Sequence, residues 1–242
     1  MPELKFHRIL FKMSGEMLKA PGGYGIDPDA TLAAAQRLKE ITDTGCEVAV
    51  IIGAGNLYRG LAGAKTGMDR TTADQIGMLA TCMNALAMRN TLESIGVPAE
   101  VQSAFPIQGV LPPFDQRAAM RLLAEKKVVL FAAGTGHPYF TTDTCAALRA
   151  CEIRADAVFK GTKVNGVYSA DPMKDPKAVR YEKVSFRQAL SEHLKVMDST
   201  AFSLCQDNDL PILVFRFGEP GILHNIMYGD LSAATLVSNQ EG

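Results

Sequence analysis

Three glycine-bearing segments of this 242-residue chain set charged or hydroxyl side chains beside backbone that a ligand could approach closely. The first reads Phe11-Lys12-Met13-Ser14-Gly15-Glu16. An ammonium followed by Ser-Gly offers positive charge next to flexible N–H groups that can meet phosphate oxygens. Taken alone, the hexapeptide reads first as a surface lysine before a tight turn. The second, Ile52-Gly53-Ala54-Gly55-Asn56-Leu57-Tyr58-Arg59-Gly60, joins small residues to an arginine able to clamp an anion through two parallel N–H groups. It lacks the third in-register glycine of a dinucleotide-binding turn, and an ordinary glycine turn explains it equally well. The third is Ala133-Gly134-Thr135-Gly136-His137-Pro138-Tyr139-Phe140-Thr141-Thr142-Asp143. Its glycines and threonines run into a helix start, where free N–H groups and the helix dipole favour an anion. Thr141 or Thr142 could cap that helix, with Asp143 in its first turn. Capping accounts for one or two of these residues and leaves the Gly-Thr-Gly loop unexplained, so the ligand reading leads.

Two further carboxylates admit two readings each. Asp74 follows Arg70 by four residues, and could pair with it across a helical turn or accept hydrogen bonds from ribose hydroxyls. Asp198, after Lys195-Val196-Met197, begins a helix, so N-capping competes with chemistry. Met78, Met83 and Met88 read as core or subunit contact rather than as a cofactor box. The four histidines form no ligand cluster, and the sequence holds no H-E-x-x-H, no G-x-S-x-G and no G-x-x-x-x-G-K-[ST] phosphate loop. Five cysteines, at 46, 82, 145, 151 and 205, include no C-x-x-C pair. They read as small core hydrophobes in a reducing compartment, which places the protein in the cytoplasm.

Bringing such segments together calls for a sheet. Short β-rich runs occur at 8–12, 47–52, 99–103, 127–132, 157–160, 212–217 and 235–237. Val48-Ala49-Val50-Ile51-Ile52 and Val128-Val129-Leu130-Phe131 are continuously apolar, the mark of strands covered on both faces. Helical patterns fall between them at 29–44, 72–94, 116–125, 142–154, 186–194, 198–209 and 221–228. On the longest, Ile76, Leu79, Met83 and Leu86 form one apolar stripe, with Met78 and Met88 outside it. The alternation predicts an α/β fold with a mainly parallel central sheet sandwiched between helices. Ligands in such folds sit beyond the carboxyl ends of strands, where all three segments lie. Asn165-Gly166 adds a hairpin signal. Without repeats or linkers, residues 1–242 read as a single domain whose lobes divide near residue 155.

Composition bounds the rest. With 47% hydrophobic and 21% charged residues the chain is ordinary for a globular protein. Folding at this size removes roughly 70–75% of the unfolded surface from water, so no disulfide is required. Lys+Arg 25 against Asp+Glu 26, without a basic block, argues against general nucleic-acid or membrane-surface binding. Zero Trp and 7% aromatics argue against a base-stacking platform. The opening MPELKFHRILFK lacks a secretory apolar core, and no apolar run approaches the ~20 residues of a membrane span.

Taken in order, Lys12-Met13-Ser14-Gly15-Glu16, residues 53–60, Asp74-Gln75-Ile76-Gly77-Met78-Leu79-Ala80-Thr81, residues 133–143, residues 160–172 and Lys195-Val196-Met197-Asp198 resemble the bacterial uridylate (UMP) kinases of the amino acid kinase superfamily. The resemblance implies an amino acid kinase-like fold and the reaction ATP + UMP → ADP + UDP in pyrimidine nucleotide synthesis. It implies Mg2+, carried as Mg-ATP, with no direct protein ligand assigned. Such kinases lack a P-loop, in agreement with the missing motif. An N-terminal UMP-binding lobe (about 1–155) and a C-terminal ATP-binding lobe (about 156–242) are implied. Matched position by position, Lys12, Met13, Ser14, Gly15, Gly55, Arg59, Thr162, Tyr168 and Asp171 fall at ATP-binding positions. Ala54, Asp74, Thr135, Gly136, His137, Pro138, Tyr139, Phe140, Thr141 and Thr142 fall at UMP-binding positions. The catalytic positions are Lys12 and Lys160 on the phosphates, Asp198 orienting Lys12 or the metal-nucleotide, and Asp143 steadying the same network. No general base is implied, since the UMP phosphate is already ionised.

Three departures stand out: Ala54 within the usual glycine triplet, Met13 for the commoner Leu, and Asn165 where Asp is frequent. The family is typically a homohexamer, activated by GTP and inhibited by UTP, with its GTP-response segment at Ala20-Pro21-Gly22-Gly23-Tyr24-Gly25. Two rival readings are another small-molecule kinase of the superfamily and a non-catalytic nucleotide-binding or metal-storage relative. The run Gly136-His137-Pro138-Tyr139-Phe140-Thr141-Thr142-Asp143 opposes the first, because an amino-acid site would want a carboxylate and amine reader. Retention of Lys12, Asp143 and Asp198 opposes the second.

Overall fold

Alternate residues of the apolar strands feed two separate cores, one on each face of a sheet. The computed structural model describes residues 3–58, 67–194, 196–219 and 221–240. Its eight-stranded sheet uses β1 (Arg8–Met13), β2 (Glu47–Ile52), β3 (Ala99–Ser103), β4 (Val128–Ala132), β5 (Ala157–Thr162), β8 (Lys183–Ser185), β9 (Ile212–Arg216) and β10 (Ala234–Ser238). The spatial order is β3-β4-β2-β1-β5-β9-β10-β8. All neighbours are parallel except β9 and β10. A separate antiparallel ribbon joins β6 (Val167–Tyr168) to β7 (Arg180–Tyr181).

Ile9, Phe11 and Met13 of β1 enter one core with Val48, Val50 and Ile52 of β2 and Phe159 of β5. That core lies under α1 (Pro28–Thr42), α2 (Arg70–Ser94) and α7 (Ile222–Met227). Leu10, Ala49, Ile51 and Val158 point the other way. They pack beneath α3 (Gln116–Ala124), α4 (Thr142–Glu152), α5 (Phe186–Ser191) and α6 (Ser199–Asp207). The period of two therefore puts Lys12 and Lys160 on the α4 side, in step with Leu10 and Val158. Asp27, Asp69, Asp115, Thr141, Ser185 and Asp198 each accept an N–H at a helix start, so the helix boundaries follow their caps. Cys46, Cys82, Cys145 and Cys205 are buried and Cys151 is half-buried, all as free thiols. Burial pushes the Cys46, Cys145 and Cys205 thiols up to about 12, which keeps them protonated and inert.

Two expectations need correction. On α2 the stripe of Ile76, Leu79, Met83 and Leu86 is not the core face: Leu79 is 50% and Met83 54% exposed. The helix instead buries Ala73, Met78, Ala80, Thr81, Ala85, Met88 and Leu92. Its small residues let the helix axis approach the sheet, whereas periodicity gives weight to bulky side chains. Met78 and Met88 thus belong to the core rather than to an outer face. Asn165-Gly166 does not close a two-residue hairpin either, because the partner of β6 is β7 and not β5. Gly166 serves close packing there: an added Cβ would lie 2.4 Å from Thr235 Oγ1.

Candidate functional site

Lys12 and Lys160 are partners in the parallel ladder of β1 and β5, so their side chains leave the same face side by side. Two adjacent ammoniums repel, and the structure resolves this with one carboxylate from the first turn of α4. Asp143 Oδ1 lies 2.6 Å from Lys12 Nζ and Oδ2 lies 2.8 Å from Lys160 Nζ. Lys160 also donates to the carbonyl of Val196. Burial alone would raise the Asp143 pKa, but the two lysines outweigh it and hold the carboxyl below its usual value. Burial lowers the Lys160 pKa, opposed by Asp143 and reinforced by Lys12. The cluster is a largely buried, net-positive cradle.

Asp198 takes the N-capping part that competed with chemistry in the sequence. Its Oδ1 caps α6 by accepting Ala201 N–H at 2.8 Å, and both oxygens accept the Thr144 hydroxyl at 3.0 and 3.1 Å. Thr141 donates to Oδ2 as well. Asp198 therefore ties α6 to the start of α4, and the carboxylate that pairs with Lys12 is that of Asp143. Thr141 Oγ1 accepts the N–H groups of Asp143 and Thr144, so the helix cap and the lysine-holding carboxylate form one unit.

A cavity lies on each side of this unit. The smaller, of 130 Å3, is lined by Ala54, Asp74, Thr135, His137, Phe140, Thr141 and Thr142 from the expected set. Tyr58, Ala73, Gly77, Met78, Thr81 and Gly134 complete it, none of them marked as a site residue by the sequence pattern. Thr81 accepts the N–H of Ala133 at 2.9 Å, pinning the loop to α2. That loop is locally strained, with positive φ at Ala133 (60°), Gly134 (56°), Gly136 (81°) and Tyr139 (71°). Of the two readings of Asp74, the pairing with Arg70 holds: it accepts from Arg70 Nε at 2.8 Å, and from Tyr139 N–H at 2.8 Å, while lining the cavity. Gly136, Pro138 and Tyr139 shape the loop without lining the cavity, and Tyr139 is 66% exposed.

The larger cavity, of 410 Å3, is lined by Lys160, Thr162, Tyr168 and Asp171, joined by Glu192 and Val214 among others. Thr162 Oγ1 bridges the backbone of Val164, and the Tyr168 hydroxyl donates to Asn165 Oδ1 at 2.5 Å. Asn165, the residue in place of Asp, thus steadies the cavity wall.

The remaining expected residues join the two halves. Ser14 caps a short 3-10 turn, accepting Glu16 N–H at 3.3 Å. Gly15 passes so close to Gly53 that an added Cβ would stand 2.1 Å from the Gly53 carbonyl oxygen. Gly55 lies against Glu16, which pairs with Lys163 at 2.8 Å. Met13 is a core residue and lines neither cavity. Arg59 lies outside the described residues. The segment Ala20-Pro21-Gly22-Gly23-Tyr24-Gly25 packs on the second loop: Asn56 donates to the Gly25 carbonyl at 2.9 Å, and Tyr24 to that of Leu57 at 2.5 Å. Asn56 and Asn84, both buried, exchange hydrogen bonds at 2.9 and 2.8 Å, and Asn84 holds the Gly53 carbonyl at 2.8 Å. A buried Asn in the apolar run of α2 was the available signal for that support. Among the described residues no three His, Cys, Asp or Glu could hold a metal ion together.

Comparison with known proteins agrees with this geometry. The amino acid kinase family matches residues 7–216. A protein named uridylate kinase from Zymomonas mobilis is 48% identical over 237 residues, covering 98% of both chains. Another of that name from Shewanella amazonensis is 51% identical over 229 residues, 95% of each. The crystal structure of UMP kinase from Bacillus anthracis superposes with TM-score 0.93 at 33% identity, covering 97% of each chain. That of UMP kinase from Ureaplasma parvum gives 0.90 at 36%, covering 97% of this chain and all of that one. With matching sequence over nearly its whole length and the same fold, the chain belongs to the amino acid kinase family.

Proposed function

We propose that the protein transfers the terminal phosphoryl group of ATP to UMP, giving ADP and UDP, as a step of pyrimidine nucleotide synthesis. The observation that carries this is the Lys12–Asp143–Lys160 cluster between two cavities at one sheet edge. The larger cavity takes ATP and the smaller takes UMP. The division near residue 155 follows the same lines, since the smaller cavity draws on residues 54–142 and the larger on residues 160–214.

Phosphoryl transfer asks for positioning and charge neutralisation more than for covalent chemistry. Lys12 and Lys160 stand where the two phosphate chains meet, and Asp143 keeps both ammoniums aimed while they exchange to phosphate oxygens. The N-terminus of α4, with Thr141 and Thr142, presents N–H groups and hydroxyls to the UMP phosphate. That phosphate has its second pKa near 6, so it is mostly dianionic at pH 7 and attacks without a general base. Asp74 accepts ribose hydroxyls beside its bonds to Arg70 and Tyr139. Thr162, Tyr168 and Asp171 hold the adenosine half. Mg2+ bound with ATP would supply charge neutralisation on the phosphates, beside Lys12 and Lys160.

Assembly and regulation extend the reading. Leu79 and Met83 leave an apolar surface on α2 that supports self-association, with a homohexamer as the assembly. The loop 20–25, bonded to residues 56 and 57, is placed to pass a GTP signal to the phosphate-binding loop, with UTP opposing it. The free thiols support a cytoplasmic location, and among the described residues no helix is long and apolar enough to cross a membrane. The deciding assay measures ADP release with UMP, CMP, glutamate and carbamate as acceptors. Turnover with UMP is expected, and absence of turnover with every acceptor would leave only a binding role.

A further inference from the structure

Thr235, fully buried on β10, lines neither cavity itself, yet both of its hydrogen-bond partners belong to the ribbon that walls the larger one. Its hydroxyl accepts the N–H of Val167 in β6 at 2.9 Å and donates to the carbonyl of Tyr181 in β7. One side chain thus joins both strands of the ribbon to the main sheet, where no ladder pairing does so. Arg180 works beside it, donating to the carbonyls of Asn165 (3.3 Å), Ala234 (3.2 Å) and Ser232 (2.7 Å). Gly166 threads between the two: an added Cβ would meet Thr235 Oγ1 at 2.4 Å and Arg180 Cδ at 3.1 Å. On the far side the Tyr181 hydroxyl donates to Glu192 at 2.7 Å, and Glu192 lines the cavity.

We propose that Thr235, assisted by Arg180, is a positioning residue for the donor nucleotide. By docking the ribbon it sets Tyr168 and Asp171 over a floor made by Lys160 of β5 and Val214 of β9. The inference rests on the reading of the larger cavity as the ATP site. Without the hydroxyl, the Val167 N–H and the Tyr181 carbonyl lose their buried partner and the wall is no longer held. ATP must then order the ribbon on binding, so its affinity falls. The Lys12–Asp143–Lys160 cluster and the smaller cavity share no hydrogen bond with the ribbon's attachment to β10, so transfer at saturating ATP continues.

The test is a steady-state comparison of Thr235→Val and Thr235→Ser with the parent enzyme, alongside thermal unfolding. The valine variant is expected to raise KM for ATP about tenfold, the scale of one buried hydrogen bond, with kcat and the KM for UMP within twofold. The serine variant, which keeps the hydroxyl, restores the ATP value. A valine variant that melts earlier with its ATP KM unchanged has lost only structural support, and this overturns the proposal. So does a serine variant that fails to restore. Should Thr235→Val not fold, Arg180→Met serves in its place, and an unchanged ATP KM in that variant is equally fatal. Tyr168→Ala separates the two layers of argument. If it leaves the ATP KM untouched, the ATP-site reading falls and the inference with it; if it raises that KM while Thr235→Val does not, the positioning role alone falls.

Discussion

Replacing Lys12 by alanine removes one of the two ammoniums to which the proposed mechanism gives the transferring group. An ammonium about 3 Å from a phosphoryl oxygen, at an effective dielectric near 20, attracts it by about 5–6 kcal/mol gross. Much of that attraction already exists before reaction, and only the increase at the transition state accelerates it. Single preorganised donors of this kind contribute about 3–4 kcal/mol, which corresponds to a 100- to 1000-fold fall in kcat. The UMP side should be spared, because Lys12 does not line the smaller cavity. Folding should survive, because Lys160 still neutralises Asp143 from 2.8 Å. The assay is ADP release at saturating ATP over a range of UMP, with calorimetry for UMP binding and thermal unfolding as a control. A variant that turns over normally at saturation but has lost UMP binding refutes the assigned role. So does a fall in kcat of less than about tenfold in a well-folded protein.

Three further outcomes follow from the geometry. Burial lowers the Lys160 pKa from 10.5, so turnover should decline on the alkaline side before that pH. Asp143→Asn removes the counter-charge that opposes the shift and should move the decline to still lower pH; a kcat profile whose alkaline limb stays in place contradicts this. Because the folded Asp143 pKa lies below 3.8, its contribution to stability is complete above that pH and fades as pH falls through the lowered value. Thermal unfolding against pH should therefore show an acid loss that Asp143→Asn lacks. Gly15→Ala forces a Cβ to within 2.1 Å of the Gly53 carbonyl oxygen. It should cost about 1–3 kcal/mol or more and reduce kcat/KM at least tenfold, and an unaltered melting temperature would count against that contact. Leu79→Glu with Met83→Glu should abolish the proposed self-association, read by light scattering, without unfolding the subunit, since both side chains are half exposed.

Much of the architecture was legible because it depends on local pattern. Continuous apolar runs marked doubly covered strands, and the capping residues Thr141 and Asp198 marked helix starts that the structure confirms. The Gly-Thr-Gly loop drew attention because capping alone could not use all its residues. The face of α2 was misread because bulk and burial diverged there: the helix packs through alanines, while Leu79 and Met83 point outward. The hairpin signal at Asn165-Gly166 misled for a related reason. The glycine answers to Thr235, a residue distant in the chain, rather than to a local turn.

The amino-acid order by itself determined which segments form strands and helices and which strand ends carry cations, hydroxyls and glycines, since those properties depend on neighbours within a few positions. Only the folded chain decided that β1 and β5 lie side by side with Lys12 level with Lys160, that Asp143 serves both, and that Thr235 holds the ribbon. Strand order and register arise from packing against two cores at once. The pairing of groups far apart along the chain is therefore a property of the assembled sheet, and no local spacing contains it.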